Sequence, residues 1–405
     1  MKKSRLPTLL LIAAAIVLEG FDLQVMGLAA PGMLSDWHLP KAALGLAMSA
    51  SLFGMTLGSG TGGWLGDRWG RRPVLILCIA WFAVATLGTA LAGSPALVAM
   101  LRLLAGVGFG AALSTSMALA AEWSSPEHRT QTVGYLIVGV PVGGMLGAGL
   151  CAWLVPAFGW RAAFVAGGAL PLLISVAMLW GLVESPSFTR VSTRAADPDA
   201  DRLSLLLHPE YRRATLGLCI AFFANLAVSY AFFSWIPVLL SSLGFAISTA
   251  LRGSFLFNLF GALGAVLGLR LTAVRGNRHL LLAYGGLGVC AISALAWILY
   301  RSNDGMAGAG EVLAGLSIAG VATIGLQTGL YGLVASAYPT RCRASGIGAA
   351  GTCGRGGGIA SSYLGGSVLG LAAGPAWFLS AVALLFVISV AGVLTVGVTT
   401  DRQAE

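Results

Sequence analysis

One stretch of the sequence decides how the fold is interpreted, Gly63-Trp64-Leu65-Gly66-Asp67-Arg68-Trp69-Gly70-Arg71-Arg72. This short, arginine-rich segment stands between two long apolar runs. Arginine side chains at the end of an apolar helix reach into the water at the membrane surface. The glycines and Asp67 indicate a tightly structured connection, which a merely basic loop would not need. The stretch therefore predicts a loop at a membrane surface between two spanning helices.

Composition outside this stretch agrees with a membrane protein. Of the 405 residues, 57% are hydrophobic and 10% are charged, whereas soluble domains carry about 25% charged residues. The mean hydropathy of +0.86 excludes a soluble globular enzyme and a disordered chain. The 57 glycines follow no Gly-X-Y period, which excludes collagen, and such abundance is typical of closely packed membrane helices.

Apolar runs of the length that a spanning helix needs, about 20 residues, occur on both sides of the quoted loop. Twelve predicted spans result: 7–33, 42–66, 73–92, 95–121, 130–155, 160–183, 213–242, 247–271, 279–300, 306–335, 344–370 and 375–399. A long polar stretch divides them into six and six. We predict an all-α membrane protein with twelve transmembrane helices in two six-helix bundles, at 1–184 and 213–405, joined by a cytoplasmic linker at 185–212.

The 24 Lys and Arg residues predict the orientation in the membrane. If both termini are cytoplasmic, most of these residues face the cytoplasm. The basic residues expected on the other side are Lys41, Arg161, Arg252 and Arg301. This asymmetry follows the positive-inside rule and explains the net charge of +9 without a nucleic-acid partner. We expect a multi-pass protein of a bacterial inner membrane, in contact with the lipid bilayer and with both termini in the cytoplasm.

The placement of cysteine and histidine predicts neither a metal site nor a cofactor. None of the six cysteines is spaced as C-x-x-C, so no zinc site or disulfide framework is indicated. The four histidines all fall in polar connections, whereas a haem or metal enzyme of the membrane would need them inside the spans. Because the sequence also shows no nucleophile–base pair and no phosphate-binding loop, we do not expect an enzyme.

The quoted loop fits the pattern G-x-L-x-D-R-x-G-R-R at every fixed position, and it lies between spans 2 and 3. Span 4 adds Arg102-x-x-x-Gly106-x-Gly108-x-Gly110. With these two motifs in these two places, the sequence resembles the major facilitator superfamily of secondary transporters. The resemblance implies two related six-helix halves. It also implies a conformational gating motif, formed by Gly63, Asp67, Arg68, Gly70, Arg71, Arg72, Glu122 and Arg129.

Asp67 has two expected roles in such a gate. It caps a helix N-terminus, or it accepts hydrogen bonds from an arginine across the two bundles. The corresponding loop of the second half keeps Gly276 and Arg278 at matching positions. Ala273 stands where the first copy has Asp67, so the second copy is degenerate and lacks the carboxylate that a latch needs.

A second resemblance lies in span 1, which carries Leu18-Glu19-Gly20-Phe21-Asp22-Leu23-Gln24. This looks like the D-G-[FY]-D signature of the aromatic acid:proton symporter family, with Glu19 in place of the first Asp, and is most similar to the 3-(3-hydroxyphenyl)propionate transporter branch. The resemblance implies proton-coupled uptake of a small aromatic carboxylic acid by a monomer. The alternative is a proton-coupled multidrug or aromatic-compound efflux antiporter. In span 5, Val140 separates Gly139 from Pro141 and leaves the exporter pattern incomplete, which favours uptake.

Four charged residues stand inside the predicted spans, Glu19, Asp22, Arg102 and Arg355. Glu19 and Asp22 are three residues apart, so they share one helix face, and a charge that faces lipid is costly. Two close carboxylates repel each other, which favours the binding of a proton. Glu19, Asp22 and Arg102 are therefore the proton-coupling candidates, with Arg102 switching between either acid and the substrate. Arg355 either binds a substrate carboxylate bidentately or hydrogen-bonds helix carbonyls.

Span 7 is rich in aromatic residues, and polar side chains lie among and near them. A cavity of this kind beside arginine fits a ring that carries a carboxylate. The predicted substrate-binding residues are Arg102, Arg355, Tyr230, Asn225, Gln327 and Tyr331. The other interpretation of the aromatic residues is packing and anchoring at the membrane interface.

Overall fold

The computed structural model describes residues 2–125, 129–185, 206, 208–275, 277–301, 308–338 and 342–396. All regular secondary structure in these residues is helical. One 3-10 turn, Lys41–Leu44, precedes the second helix. The α-helices are α1 (Lys2–Asp36), α2 (Gly45–Trp69), α3 (Arg71–Ala90), α4 (Pro95–Trp123), α5 (Arg129–Ile137), α6 (Gly139–Phe158), α7 (Arg161–Gly181), α8 (Pro209–Ser242), α9 (Ile247–Arg275), α10 (Asn277–Arg301), α11 (Ala309–Ala337), α12 (Arg343–Leu369) and α13 (Gly374–Thr395).

These helices follow the predicted spans, with differences in detail. Helix α1 is longer than its predicted span because helical hydrogen bonding continues from the apolar run into the polar residues at both ends. Span 5 consists of two helices, α5 and α6, which are separated at Val138. Pro141 accounts for the interruption, since it has no N–H to donate to the carbonyl of Ile137, four residues earlier.

Eleven helical segments in the described part of the chain are long and apolar enough to cross a membrane. The remaining predicted span is α12, whose 27 residues include many glycines, which lower its hydropathy. These glycines serve close packing: a Cβ on Gly357 would collide with the carbonyl of Phe223 in α8, and one on Gly358 with the ring of Tyr230. Helix α12 thus belongs to the bundle, and the chain is an all-α membrane protein with twelve transmembrane segments.

Packing divides the chain into two compact units. The first contains Met1–Arg194, Phe232–Leu259 and Ser362–Pro375, and the second contains Ala195–Ala231, Phe260–Ser361 and Ala376–Glu405. Helices α8, α9 and α12 contribute residues to both units. The predicted bundle boundaries at 184 and 213 stay a prediction, because most of the linker 185–212 lies outside the described residues.

Glycine allows two helix pairs of the first unit to approach closely. Between α1 and α6, a Cβ on Gly20 would collide with the carbonyl of Val140, and Gly143 makes a similar contact with the backbone of α1. Between α2 and α4, Gly58 and Gly106 each face a carbonyl of the opposite helix. Helices α1 and α4 are therefore held tightly by their neighbours, which fixes the depth of the charged side chains that they carry.

Candidate functional site

The first unit holds a buried ion pair between α1 and α4. The Nη1 atom of Arg102 lies 3.2 Å from Oδ1 of Asp22, and the two side chains are 0% and 4% exposed. Thr86 of α3 completes a triangle, because its hydroxyl donates to Asp22 Oδ1 at 2.6 Å and accepts from Arg102 Nη2 at 2.5 Å. Of the two acids predicted as partners of Arg102, the structure selects Asp22.

A fourth helix, α7, contributes an aromatic ring to this site. The guanidinium carbon of Arg102 lies 5.4 Å from the ring centroid of Phe164, within the range of a cation–π interaction. The Nε atom of Arg102 has no hydrogen-bond partner among the described residues. Nη1 and Nη2 therefore donate hydrogen bonds within the site, whereas the N–H of Nε is available for a further acceptor. This arrangement suits an arginine that exchanges partners.

Glu19 lies one helical turn before Asp22 but has no comparable partner. Its side chain is fully buried, and neither carboxylate oxygen is hydrogen-bonded within the described part of the chain. The turn before it and the facing part of α3 are apolar, since Ile16, Ile79 and Phe82 belong to one buried hydrophobic cluster. Burial without a partner penalises the charged form of a carboxylate. Glu19 is therefore suited to carry a proton.

Five of the six predicted substrate-binding residues lie in the second unit. They are Asn225 and Tyr230 on α8, Gln327 and Tyr331 on α11, and Arg355 on α12. A Cβ on Gly358, three residues after Arg355, would meet the ring of Tyr230, and Tyr331 follows Gln327 by four residues on α11, so the two share one helix face. The sixth predicted residue, Arg102, belongs to the first unit.

Ser229, which the sequence pattern did not single out, joins α8 to α11 within this cluster. Its Oγ lies 3.2 Å from Oε1 of Gln327 and 3.0 Å from the carbonyl oxygen of Asn225, and its one proton can be donated to either acceptor. Two turns before Ser229 on α8, the ring of Phe222 meets that of Tyr331 edge-on, with the centroids 5.1 Å apart. The sequence could have indicated Ser229 by its position, because it follows Asn225 by four residues and therefore lies on the same helix face.

The second-unit cluster has the chemistry of a site for an aromatic anion. Tyr230, Gln327, Tyr331 and Arg355 each keep part of their surface accessible, although they lie well inside long apolar helices. Aromatic rings, a few polar groups and a guanidinium suit a ring with a carboxylate. In the part of the chain that the structure describes, no cluster of His, Cys, Asp or Glu has the makeup of a metal site.

The loop between α2 and α3 is organised around Arg71. Its Nη2 atom lies 2.6 Å from Oδ1 of Asp67 and 3.5 Å from Oε1 of Glu122, near the end of α4. Gly70 between the helices has a φ of 99°, a backbone conformation that glycine adopts without strain. The structure thus shows Asp67 accepting from an arginine of its own unit.

Other members of the predicted gating motif make weaker contacts or lie outside the description. The guanidinium carbon of Arg68 lies 5.5 Å from the ring centroid of Trp64. A Cβ on Gly63 would meet open space. Arg129 begins α5, but its side chain lies outside the described residues, as do the side chains of 272–277 in the second copy.

Glu184, which follows α7, caps the start of α3. Its Oε1 atom accepts from the backbone N–H groups of Arg71 at 3.0 Å, Arg72 at 3.1 Å and Ser185 at 2.9 Å. The side chain of Arg72 returns toward α7 and donates to the carbonyl of Leu182 at 2.8 Å. A carboxylate at a helix N-terminus satisfies free N–H groups and complements the helix dipole. No local pattern marks this role, because Glu184 lies 113 positions from Arg71.

Glu184→Ala is expected to lower the free energy of unfolding by about 1–2 kcal/mol, because the first turn of α3 loses its acceptor. Thermal unfolding of the purified protein in detergent measures the effect, which we expect as a Tm lower by about 2–4 °C. Glu210→Ala is the matched control, since Glu210 is an exposed acid in the first turn of α8. Equal shifts in both variants would contradict the capping role.

Comparison with known proteins gives a consistent result along the chain. The family model described as Major Facilitator Superfamily matches residues 12–362. A gallate transporter of Pseudomonas putida is 33% identical, over 90% of this chain and 86% of its own length. A 3-(3-hydroxy-phenyl)propionate transporter of Escherichia coli (strain K12) is 35% identical, over 88% of this chain and 85% of its own length.

Among solved structures, a D-xylose-proton symporter resembles this chain with a TM-score of 0.80. The superposition covers 99% of both chains at 16% sequence identity. At that identity the likeness concerns the fold alone, and it extends over all the helices described above.

Proposed function

Because the chain belongs to the Major Facilitator Superfamily, we propose that it is a secondary active transporter that takes up a small aromatic carboxylic acid together with protons by alternating access. Two relatives are named for gallate and for 3-(3-hydroxy-phenyl)propionate, and both compounds are aromatic carboxylic acids. The excess of basic residues in alternate loops supports an inner-membrane protein with both termini in the cytoplasm. It acts as a monomer.

The observation that carries the proton coupling is the contrast between the two acids of α1. Asp22 is neutralised by Arg102 and bound by Thr86, whereas Glu19 is buried and has no hydrogen-bond partner among the residues that the structure describes. One acid therefore holds an arginine, and the other is suited to hold a proton. Their separation of one helical turn allows a proton on either site to change the charge felt by the other.

In the proposed cycle, a proton on Asp22 cancels the charge that holds Arg102 and frees the guanidinium for the substrate carboxylate. Loss of the proton restores the ion pair and displaces the substrate from the arginine. Thr86 keeps one hydrogen bond to Arg102 during this exchange, so the guanidinium never loses all its partners at once. Glu19 takes up the proton from the outer side and passes it to Asp22, and it later takes the proton back and releases it to the cytoplasm.

Within the second unit, the other predicted substrate-binding residues form a cluster of their own in this proposal. Arg355 provides a cation for the carboxylate, and its planar guanidinium matches a carboxylate bidentately. The rings of Phe222 and Tyr331, which already pack edge-on, provide apolar contact for the substrate ring. Gln327 and Tyr230 add polar groups within the same unit.

Reconstituted protein tests the direction and the coupling. We expect proteoliposomes with an inward proton gradient to accumulate labelled 3-(3-hydroxyphenyl)propionate or gallate, and a protonophore to abolish the accumulation. Acid-driven extrusion without import would instead support efflux by a proton antiporter. That alternative is disfavoured by Val140, which interrupts the exporter pattern of span 5.

The number of protons per cycle has an electrical consequence. One proton with one monovalent anion moves no net charge, so only the pH gradient drives uptake. A second proton adds about 2.3 kcal/mol per 100 mV of membrane potential. Electrophysiology on the same proteoliposomes measures the difference, and a zero transport current excludes the two-proton form.

A further inference from the structure

Asn225 has unused hydrogen-bonding capacity in the middle of α8. Its side chain is fully buried, and neither Oδ1 nor Nδ2 has a partner among the described residues. Buried amides are almost always hydrogen-bonded, because an unpaired one loses its water contacts and gains nothing in return. Asn258 of α9 is equally buried, yet it exchanges two hydrogen bonds with the amide of Gln24. The unpaired amide of Asn225 is therefore available to bind a ligand.

The position of Asn225 is defined by its neighbours on α8. Phe222, three residues earlier, contacts the ring of Tyr331, and Ser229, four residues later, donates to Gln327. Residues at these spacings share one helix face, so Asn225 lies on the face that meets α11, between the two contacts. Because Gln327 and Tyr331 are partly accessible, a molecule that reaches them comes next to the amide of Asn225.

The chemistry of an amide decides which group it accepts. Asn225 offers one carbonyl acceptor and one NH₂ donor. A carboxylate only accepts, so it would pair with Nδ2 and leave Oδ1 facing a negative charge. A phenolic hydroxyl both donates and accepts, so it satisfies both atoms, whereas an unsubstituted ring satisfies neither. The amide thus matches a hydroxyl group on an aromatic ring.

The carboxylate of the same molecule has a separate place. Arg355 lies on α12 three residues before Gly358, whose backbone packs against the ring of Tyr230. Tyr230 follows Asn225 by five residues, or about 7.5 Å along the helix axis. This rise is comparable to the distance in a benzoic acid from the carboxyl group to a hydroxyl on the far side of the ring. Along the axis of α8, the amide of Asn225 and the ring beside α12 are therefore separated by about the length of a hydroxylated acid.

We propose that Asn225 determines specificity by binding a ring hydroxyl while Arg355 binds the carboxylate, so that the protein selects hydroxylated aromatic acids over unhydroxylated ones. The inference rests on the proposed function. Discrimination follows because an acid without the hydroxyl leaves the buried amide unpaired, and sites of this kind reject such analogues strongly.

The test compares uptake of labelled 4-hydroxybenzoate and benzoate by proteoliposomes that hold wild-type protein or Asn225→Leu. Leucine keeps the size of the side chain and removes its hydrogen bonds. We expect the wild-type kcat/KM to be about 10- to 100-fold higher for 4-hydroxybenzoate. Asn225→Leu is expected to erase most of this preference, because it lowers kcat/KM for 4-hydroxybenzoate by a much larger factor than kcat/KM for benzoate.

Asn258→Leu is the matched control, since it removes another fully buried asparagine and is expected to lower uptake of both acids by the same factor. If leucine at 225 prevents folding, Asn225→Ser and Asn225→Ala replace it, and serine is expected to retain more preference because it keeps a donor and an acceptor. A wild type without preference, or equal losses for both acids in Asn225→Leu, would overturn the inference and leave transport standing. A wild type that transports no aromatic acid would overturn the proposed function as well.

Discussion

Arg102→Lys is expected to abolish proton-driven accumulation of the substrate and to lower initial uptake by about 100-fold or more. The guanidinium donates through Nη1 to Asp22 and through Nη2 to Thr86, and one ammonium group cannot reproduce this fork. Lysine also places a compact, strongly hydrated charge where the native side chain is 0% exposed. The substitution thus keeps the charge and removes the geometry on which the switch depends.

Uptake into proteoliposomes under an inward proton gradient measures this effect, with substrate exchange measured in parallel. Arg161→Lys is the matched control. Arg161 also pairs with an aspartate, Asp36, at 3.0 Å, but those side chains are 45% and 48% exposed. Exposed ion pairs contribute little to stability, so the control is expected to transport within about twofold of the wild type. Full proton-driven uptake by Arg102→Lys would exclude the arginine switch.

The pairing at Arg102 shows how far the sequence alone leads. Depth along a helix follows from residue count at about 1.5 Å per residue, so an acid of span 1 opposite Arg102 was predictable. The choice between Asp22 and Glu19 was not, because the two acids share one helix face and the choice depends on how far α1 is displaced along its axis relative to α4. The contribution of Thr86 depends on how α3 faces α1.

The helices themselves were predictable because long apolar runs determine them. The exceptions lie where glycine and proline act through packing and backbone geometry rather than through hydropathy. Span 5 is interrupted at Val138, three residues before Pro141. Helix α12 is rich in glycine because Gly357 and its neighbours approach α8 closely. A hydropathy criterion alone therefore includes eleven of the segments in the described chain.

Polar contacts between distant segments mark the limit of prediction from sequence. Residue type and depth suggested Asn225 and Gln327, but the bond from Ser229 to Gln327 depends on how α8 and α11 cross. The cap that Glu184 provides for α3 joins segments 113 positions apart. Such contacts follow from helix orientation, for which a single sequence carries no periodic signal.

Glu19→Gln is expected to leave substrate exchange intact and to remove its coupling to protons. Glutamine has the shape of a protonated glutamate and no charge, so it fits the buried position without a cationic partner. Each coupled proton supports about tenfold accumulation per unit of pH gradient, since one unit corresponds to about 1.36 kcal/mol. The variant is therefore expected to equilibrate the substrate without concentrating it.

The measurement is the steady-state ratio of internal to external substrate at a fixed pH gradient, beside the rate of exchange at equal pH. Glu311→Gln, in the exposed first turn of α11, is expected to accumulate substrate as the wild type does. Asp22→Asn differs from Glu19→Gln because it leaves the buried Arg102 without its anion, so we expect it to lose stability as well as transport. Unchanged accumulation by Glu19→Gln would contradict the role of Glu19. The coupled proton would then be assigned to Asp22, the acid whose charge holds Arg102.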